Sequence, residues 1–178
     1  MLMSIEVAQA FGWAAALVGM LSYQAKSREQ VCFMLAASCL LWVAHYIGLG
    51  AVSGAIFNFI GLVRGLIAMG RSPLVRRGLL LFIPLLWVVA WFTAHQPLDY
   101  VPPLAMTMST LAQSSSRTLR LRLFMALSSP PWLTYAILNG SQGGIANELL
   151  NMSSAGLSLY RFHFRPWMAA RKVTSPQG

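Results

Sequence analysis

Charged residues are scarce in this sequence, and acidic residues are the scarcest of all. Of the 178 residues, 10% carry a charge, and four are Asp or Glu. Soluble domains are about 25% charged and about 45–50% apolar, whereas 57% of this chain is hydrophobic. Such a chain cannot cover a globule with polar surface. The composition therefore excludes an ordinary soluble domain and predicts a protein whose solvent is the lipid bilayer.

The shortage of acids leaves a formal net charge of +9, but the sequence lacks the polar surroundings of a nucleic-acid-binding face. Its basic residues form short clusters between apolar runs, a pattern typical of membrane topology signals. A basic face for nucleic acid would need a polar, foldable domain around it. We therefore expect no nucleic-acid partner.

The sequence also lacks the patterns that would indicate a disulfide, a metal site or an enzyme. Its two cysteines, Cys32 and Cys39, are two helical turns apart in one apolar run, too far apart for a disulfide. No metal-ligand spacing, carboxylate pair, phosphate loop or nucleophile motif occurs. We therefore expect no metal, no cofactor, no catalytic residue and no enzymatic activity.

Long apolar runs are what the sequence does contain. A helix needs about 17–25 residues to cross the hydrocarbon core, and several of the runs are at or below that length. Backbone groups must be satisfied within lipid, so each run is expected to be helical. We predict an all-α membrane protein with seven transmembrane helices, at about residues 7–23, 31–49, 51–69, 78–94, 101–115, 119–138 and 142–161.

Basic residues occur in every second connection between these spans and after the last one, so all of these connections lie on one side of the membrane. The opposite connections carry only Glu6 and Asp99, so the positive-inside rule predicts an external N-terminus and an internal C-terminus. The predicted internal basic residues are Lys26, Arg28, Arg71, Arg76, Arg77, Arg117, Arg120, Arg122, Arg165, Arg171 and Lys172.

One stretch of the sequence occurs twice. Residues 40–58 return as residues 130–148, and pairing without gaps matches Trp42 with Trp132, Gly50 with Gly140 and Gly54 with Gly144. A three-helix unit ends across the membrane from its start, so a fourth helix is needed to keep two copies parallel. We predict a 3+1+3 plan. Its parts are a first repeat at 1–70, a linker helix at 71–98, a second repeat at 99–165 and a basic cytoplasmic tail at 166–178.

This plan, the second-helix ending LLWVAHYIGLG and an Asn midway along the third helix resemble the SWEET and SemiSWEET (MtN3-type, PQ-loop) superfamily. A closer resemblance, over about residues 7–165, is to bacterial inner-membrane proteins of the YgjV type. It is carried by His45, Tyr46, Leu49 and Gly50, by the Gly-Ser-x-Gly-Gly-x-x-x-Glu stretch from Gly140 to Glu148, and by Arg161. The resemblance implies a multi-pass inner-membrane protein and brings no established activity. A homo-oligomer is a further candidate arrangement, which the sequence does not fix.

Polar residues within the spans indicate where function could lie. A charge at membrane depth costs at least about 2.5–3.5 kcal/mol, and Glu148 is about seven residues into the seventh span. An unpaired buried Glu is neutral and can carry a proton, while Trp rings can stack on a sugar or heterocycle. We predict a solute-binding site between the repeats, lined by Trp42, His45, Asn58, Trp132, Tyr135, Asn147, Glu148 and Asn151.

Each of these residues also has a structural interpretation. The aromatic residues and His45 could belong to an interfacial belt, the Asn residues could join helices, and Glu148 could make a structural hydrogen bond. Arg64 either snorkels toward the inner surface or pairs with a buried acid. On the repeat pairing it is about 9 Å deeper toward the inside than Glu148.

Two functional hypotheses follow from the sequence. The first is a carrier of a sugar or another small polar solute, which could be proton-linked, with its site between the repeats. The alternative is a non-transporting membrane scaffold or accessory protein. It is motivated by the lack of a full set of charge-relay residues and by the absence of prolines from the first two helices. The first helix ends in Ser22, Tyr23 and Gln24, where SWEET proteins have Pro-Gln.

Overall fold

The computed structural model describes residues 3–22, 28–70, 72–115 and 118–160. Across these ranges the chain is helical apart from short turns, as the sequence predicts. A 3-10 turn at Pro97–Tyr100 precedes the fifth of the seven main helices. These helices are α1 Ile5–Ser22, α2 Arg28–Gly48, α3 Val52–Ala68, α4 Pro73–Thr93, α5 Val101–Ser114, α6 Thr118–Leu138 and α7 Gln142–Leu159.

Several sequence predictions fall outside the described residues and are not addressed by the structure. They concern the end of the first helix at Tyr23 and Gln24, the basic residues Lys26, Arg71, Arg117, Arg161, Arg165, Arg171 and Lys172, and the tail at 166–178.

Helix boundaries agree with the predicted spans to within three residues, except at the start of α4. The apolar pattern predicts a start at residue 78, but the helix begins at Pro73. The Ser72 hydroxyl caps it by accepting the Leu74 N–H at 3.2 Å, and proline is well suited to the first helical position. Arg76 and Arg77 therefore lie in the first turns of α4 and not in a loop, which corrects the prediction.

The turns between α2 and α3 and between α6 and α7 have the same backbone geometry. Gly50 has φ +73° and Gly140 has φ +65°, the left-handed conformation that glycine adopts after a helix. The hydrogen bonds correspond pairwise. In the first turn the Gly50 N–H donates to the Ile47 carbonyl at 3.1 Å, and the Ala51 N–H donates to the Tyr46 carbonyl at 2.9 Å. In the second turn the Gly140 N–H donates to the Ile137 carbonyl at 3.1 Å, and the Ser141 N–H donates to the Ala136 carbonyl at 2.8 Å.

The helices pack as two sets of three. In the first set α2 lies between α1 and α3, and in the second α6 lies between α5 and α7. The sets meet at two seams, where α1 packs against α7 and α3 packs against α5. α4 lies against α3 and α5, where Leu86 and Ala90 pack with Phe57 and Met106. The two sets are therefore joined by α1 and α7 at one seam and by α3 and α5 at the other.

Two of the described helices, α1 and α4, are long and apolar enough to cross a membrane. Shorter apolar helical stretches run over Cys32–Gly48, Val52–Ala68 and Leu123–Leu138. Large apolar side chains also cover outward faces, with Trp91 76% and Phe92 77% exposed on α4. Apolar exposure on this scale is expected of surfaces that contact lipid or another protein.

Candidate functional site

Five rings from α2 and α6 pack together in an aromatic cluster: Trp42, His45, Tyr46, Trp132 and Tyr135. Tyr46 is at its centre. Its ring centroid is 5.0 Å from that of His45, 5.5 Å from Tyr135, 5.9 Å from Trp42 and 6.4 Å from Trp132. Stacked and edge-on pairs at these distances are favourable beyond the area they bury. Trp42 is 9% exposed and Tyr135 1% exposed, so these two side chains pack inside the protein and do not form a lipid-facing belt.

His45 joins three helices through both of its ring nitrogens. Nδ1 is 2.6 Å from the Ala8 carbonyl on α1, and because a carbonyl accepts, Nδ1 carries the proton. Nε2 then accepts from the Ser141 hydroxyl at 2.7 Å, whose oxygen caps α7 by accepting the Gly144 N–H at 3.0 Å. Gly12 makes room for the ring, since a Cβ there would be 2.8 Å from it.

Tyr135 connects α6 to the start of α3. Its hydroxyl accepts the Gly54 N–H at 2.8 Å and is 2.8 Å from the Ser53 hydroxyl, which in turn bonds the Asp99 carboxylate. A consistent set of donors runs from Gly54 through Tyr135 and Ser53 to Asp99. The aromatic cluster is thereby tied to the turn that precedes α5.

Asp99 is the acceptor at the end of this chain. Partial burial raises its pKa, but the hydrogen bonds from the His95 N–H at 3.0 Å, the Ser53 hydroxyl and the Gln96 N–H at 3.2 Å outweigh burial and hold the pKa below its ordinary value. The ionised form of Asp99 is thus the form that stabilises this turn.

Glu148 lies on α7 beyond the aromatic cluster and is 9% exposed. Its Oε1 accepts from the Asn147 amide at 2.9 Å, and the side chains of Ser129 on α6 and Asn151 on α7 also hydrogen-bond to it. We call these four residues the Glu148 cluster. The named partners are all neutral, so the cluster can bind or release a proton, or accept a hydrogen bond from a polar solute.

Small residues and Tyr46 connect the Glu148 cluster to the rest of the interior. A Cβ on Gly19 of α1 would be 3.8 Å from the Asn147 amide oxygen and 3.4 Å from the Ser38 hydroxyl. Tyr46 lies close to both Ser141 and Glu148. The two clusters are therefore neighbours, with Tyr46 between them.

Seven of the eight predicted site residues fall into these two clusters. Asn58 does not, since its amide donates to the Gly54 carbonyl one turn earlier on its own helix at 2.8 Å. Tyr46 and Ser129 belong to the clusters and Ser141 hydrogen-bonds His45, but none of the three was predicted as a site residue. The repeat pairing places Tyr46 opposite Ala136, Ser141 opposite Ala51 and Ser129 opposite Cys39, so a search for positions that are polar or aromatic in both copies passes over them.

Arg64 does not snorkel, which corrects one of the two interpretations of this residue. It is 7% exposed, and its Nη1 donates to α5, at 3.2 Å to the Met106 carbonyl and 3.0 Å to the Ser109 hydroxyl, and also to the Thr110 hydroxyl. Its Nε is buried and has no hydrogen-bond partner in the described ranges. Within the described ranges no group of His, Cys, Asp or Glu side chains is arranged to hold a metal ion.

Comparison with known proteins agrees with the membrane interpretation. The Imp-YgjV family model, described as a bacterial inner membrane protein, matches residues 6–165. No curated protein and no solved structure shows significant similarity to the chain. The match covers about nine-tenths of the sequence, confirms the resemblance to YgjV-type proteins and places the protein in the bacterial inner membrane. The chain therefore belongs to the Imp-YgjV family of bacterial inner membrane proteins.

Proposed function

We propose that the protein carries a small polar solute, a sugar or similar molecule, across the inner membrane with proton linkage. The observation that carries this proposal is the burial of the Glu148 carboxyl group. Its partners described above, Asn147, Ser129 and Asn151, are all neutral. An ionised carboxylate at membrane depth is expensive, so a Glu retained there is expected to exchange a proton or to meet a solute. The proposal assigns no enzymatic activity and no cofactor to the chain.

The proposed architecture is seven transmembrane helices in a 3+1+3 arrangement, SWEET-like, with the N-terminus outside. Residues 1–70 and 99–165 would be parallel repeats, and 71–98 would hold the linker helix. The matched turns at Gly50 and Gly140 support it. So does the packing order, because exchanging the two sets of helices converts the α1–α7 seam into the α5–α3 seam. Parallel repeats of this kind enclose a site at their interface in other carriers.

In this proposal the Glu148 cluster and the aromatic cluster would bind different parts of the solute. The Asn147 and Asn151 amides and the Glu148 carboxyl would orient hydroxyl or amine groups of the solute, and the neighbouring rings would contact its apolar face. The aromatic cluster is packed at the end of the bundle where α2 and α6 end. In the proposed orientation that end is external, so the described conformation would be closed to the outside and the solute would reach Glu148 from the inside.

The test is transport by the purified protein in proteoliposomes with an imposed pH gradient and a panel of sugars, amino acids and nucleobases. We expect proton-driven flux of at least one compound. Glu148→Gln should abolish the dependence on the gradient while the protein keeps its helical content and unfolding temperature. Glu6→Gln, at an exposed position in the first turn of α1, is the matched control and should transport normally.

A non-transporting scaffold or accessory protein is the second candidate. It is favoured by the close packing of the aromatic cluster, in which His45 and Tyr135 are held by hydrogen bonds at both sides of the bundle. A folded protein that moves none of the compounds in either gradient direction would contradict the carrier and favour this alternative.

A further inference from the structure

Arg64 is a buried cation that the proposed transport site does not use. It lies on α3, one turn before the end of the helix, and faces α5 through Met106, Ser109 and Thr110. On the α2 side it lies close to the thiol of Cys39. The side chain is thus enclosed by three helices and is not a surface arginine.

Within the part of the chain that the structure describes, the contacts on Nη1 are all to neutral oxygens. The Ser109 and Thr110 hydroxyls donate their protons to the Met106 carbonyl at 3.1 and 2.7 Å, so both oxygens are free to accept from Arg64. This arrangement fixes the guanidinium plane without compensating its charge. A buried charge without a counter-charge is strongly unfavourable, whereas a paired one is tolerated.

The acids whose side chains the structure describes lie elsewhere. Glu6 is in the first turn of α1 and Asp99 is in the 3-10 turn, while Glu148 is held within the Glu148 cluster. The backbone of the fourth acid, Glu29, lies two turns, about 10 Å, before Ala36, the residue that packs against Gly65 beside Arg64. None of the three described carboxylates therefore compensates Arg64.

The Nε–H of Arg64 is the unsatisfied part of the guanidinium. It is buried and has no hydrogen-bond partner among the described residues, and buried donors of this kind are normally paired. Nε lies on the edge of the guanidinium away from Nη1. That edge offers two parallel N–H donors in the geometry that a carboxylate accepts.

We propose that Arg64 anchors a binding site for a small organic carboxylate between α2, α3 and α5, with Ser109 and Thr110 as positioning residues. One buried guanidinium is neutralised by one negative charge, which favours a monocarboxylate over a divalent phosphate. The planar pair of oxygens favours a carboxylate over chloride. The site is separate from the Glu148 cluster and does not depend on whether the protein transports a solute.

Acetate is the probe, used with the purified full-length protein in detergent and carboxylate-free buffer. We expect sodium acetate to raise the unfolding temperature saturably, as a ligand of the folded state does, whereas sodium chloride and sodium phosphate at equal ionic strength do not. Line broadening of 13C-acetate in NMR spectra gives a second, direct readout. Glu148→Gln should leave both signals unchanged.

Three variants distinguish recognition of the carboxylate by the guanidinium from the effect of positive charge alone and from a general effect on folding. Arg64→Lys keeps the charge but loses the planar edge, and should weaken acetate binding by about tenfold or more. Thr110→Val keeps Arg64 but removes the hydroxyl that helps to hold its guanidinium in place, and should weaken acetate binding several-fold. Arg77→Met, at an exposed arginine of α4, is the matched control and should bind acetate as the native protein does.

Three results would overturn the proposal. Equal acetate binding by the native protein and Arg64→Lys would remove Arg64 from the site. An equal rise in the unfolding temperature with sodium chloride would show that the site binds a simple halide and does not select a carboxylate. If the native protein gives no acetate signal but Glu29→Gln does, Glu29 is the natural counter-charge and no ligand is needed.

Discussion

At the scale of single residues, the sequence predicts which side chains are unusual but not which partners they find. Glu148 is conspicuous in the sequence because a charge in an apolar run is costly, and it is indeed buried. Arg64 is equally conspicuous, but its nearness to a helix end favours snorkelling. Its partners on α5 are more than forty residues away, and no local pattern reveals them.

The same limit applies to His45, for which the structure leads to a test. Its two partners, Ala8 and Ser141, are 37 and 96 residues away. His45→Phe keeps a flat aromatic ring, somewhat larger than imidazole, but removes both hydrogen bonds and leaves the buried Ser141 hydroxyl without its acceptor. We expect the free energy of unfolding to fall by about 1–3 kcal/mol.

Unfolding in detergent, followed by circular dichroism, measures this loss. His95→Phe is the matched control, because His95 is exposed and its structural contact to Asp99 is made by the backbone. Equal losses in the two variants would contradict a special role for His45.

At the scale of helices and turns, sequence patterns are more reliable, because the determinants are local. Apolar runs and Gly-containing connections predict six of the seven helices to within three residues. The start of α4 is missed for a definite reason. Its cap, Ser72 and Pro73, lies in a basic stretch that a search for apolar residues excludes, although Ser followed by Pro is itself a helix-start signal.

The two glycine turns give a prediction at this scale. Gly50 and Gly140 have positive φ, and a Cβ added at either position would meet no atom within 4 Å. Gly→Ala is therefore opposed by backbone strain and not by a clash. We expect Gly50→Ala and Gly140→Ala each to destabilise the protein by about 1–2 kcal/mol, with similar values because the turns share their hydrogen-bond pattern. Unfolding in detergent measures both.

Gly156 provides the control for these substitutions. It lies in α7, is exposed, and a Cβ there would meet nothing within 4 Å. Gly156→Ala should be neutral or stabilising, by up to about 1 kcal/mol, because alanine favours the helix. Unequal effects at Gly50 and Gly140 would show that the two turns differ in their surroundings despite their common geometry.

At the scale of the whole molecule, composition alone indicates the environment, and the match to an inner-membrane family agrees with it. The packing of the two sets of helices is harder to infer. The duplication predicts two similar units but does not say that α1 meets α7 while α3 meets α5. Those seams depend on side-chain fit between distant segments, such as Gly143 of α7, whose Cβ would be 2.6 Å from the Gly12 backbone of α1.

Orientation is the whole-molecule property that the basic residues predict and that labelling can test. In a background with Cys32→Ala and Cys39→Ala, His95→Cys would place one thiol in the connection after α4, and Leu74→Cys would place one at the start of α4. Both positions are exposed, Leu74 at 74%. The positive-inside rule puts the first outside and the second inside.

A membrane-impermeant maleimide applied to intact spheroplasts should therefore label His95→Cys at once and Leu74→Cys only after permeabilisation. The two sites are at opposite ends of one helix, so they cannot report the same side if α4 crosses the bilayer. Labelling of Leu74→Cys alone in intact spheroplasts would mean that the orientation is the opposite of the predicted one. Labelling of both without permeabilisation would mean that α4 does not span the membrane, and the fourth helix could then not keep the two repeats parallel.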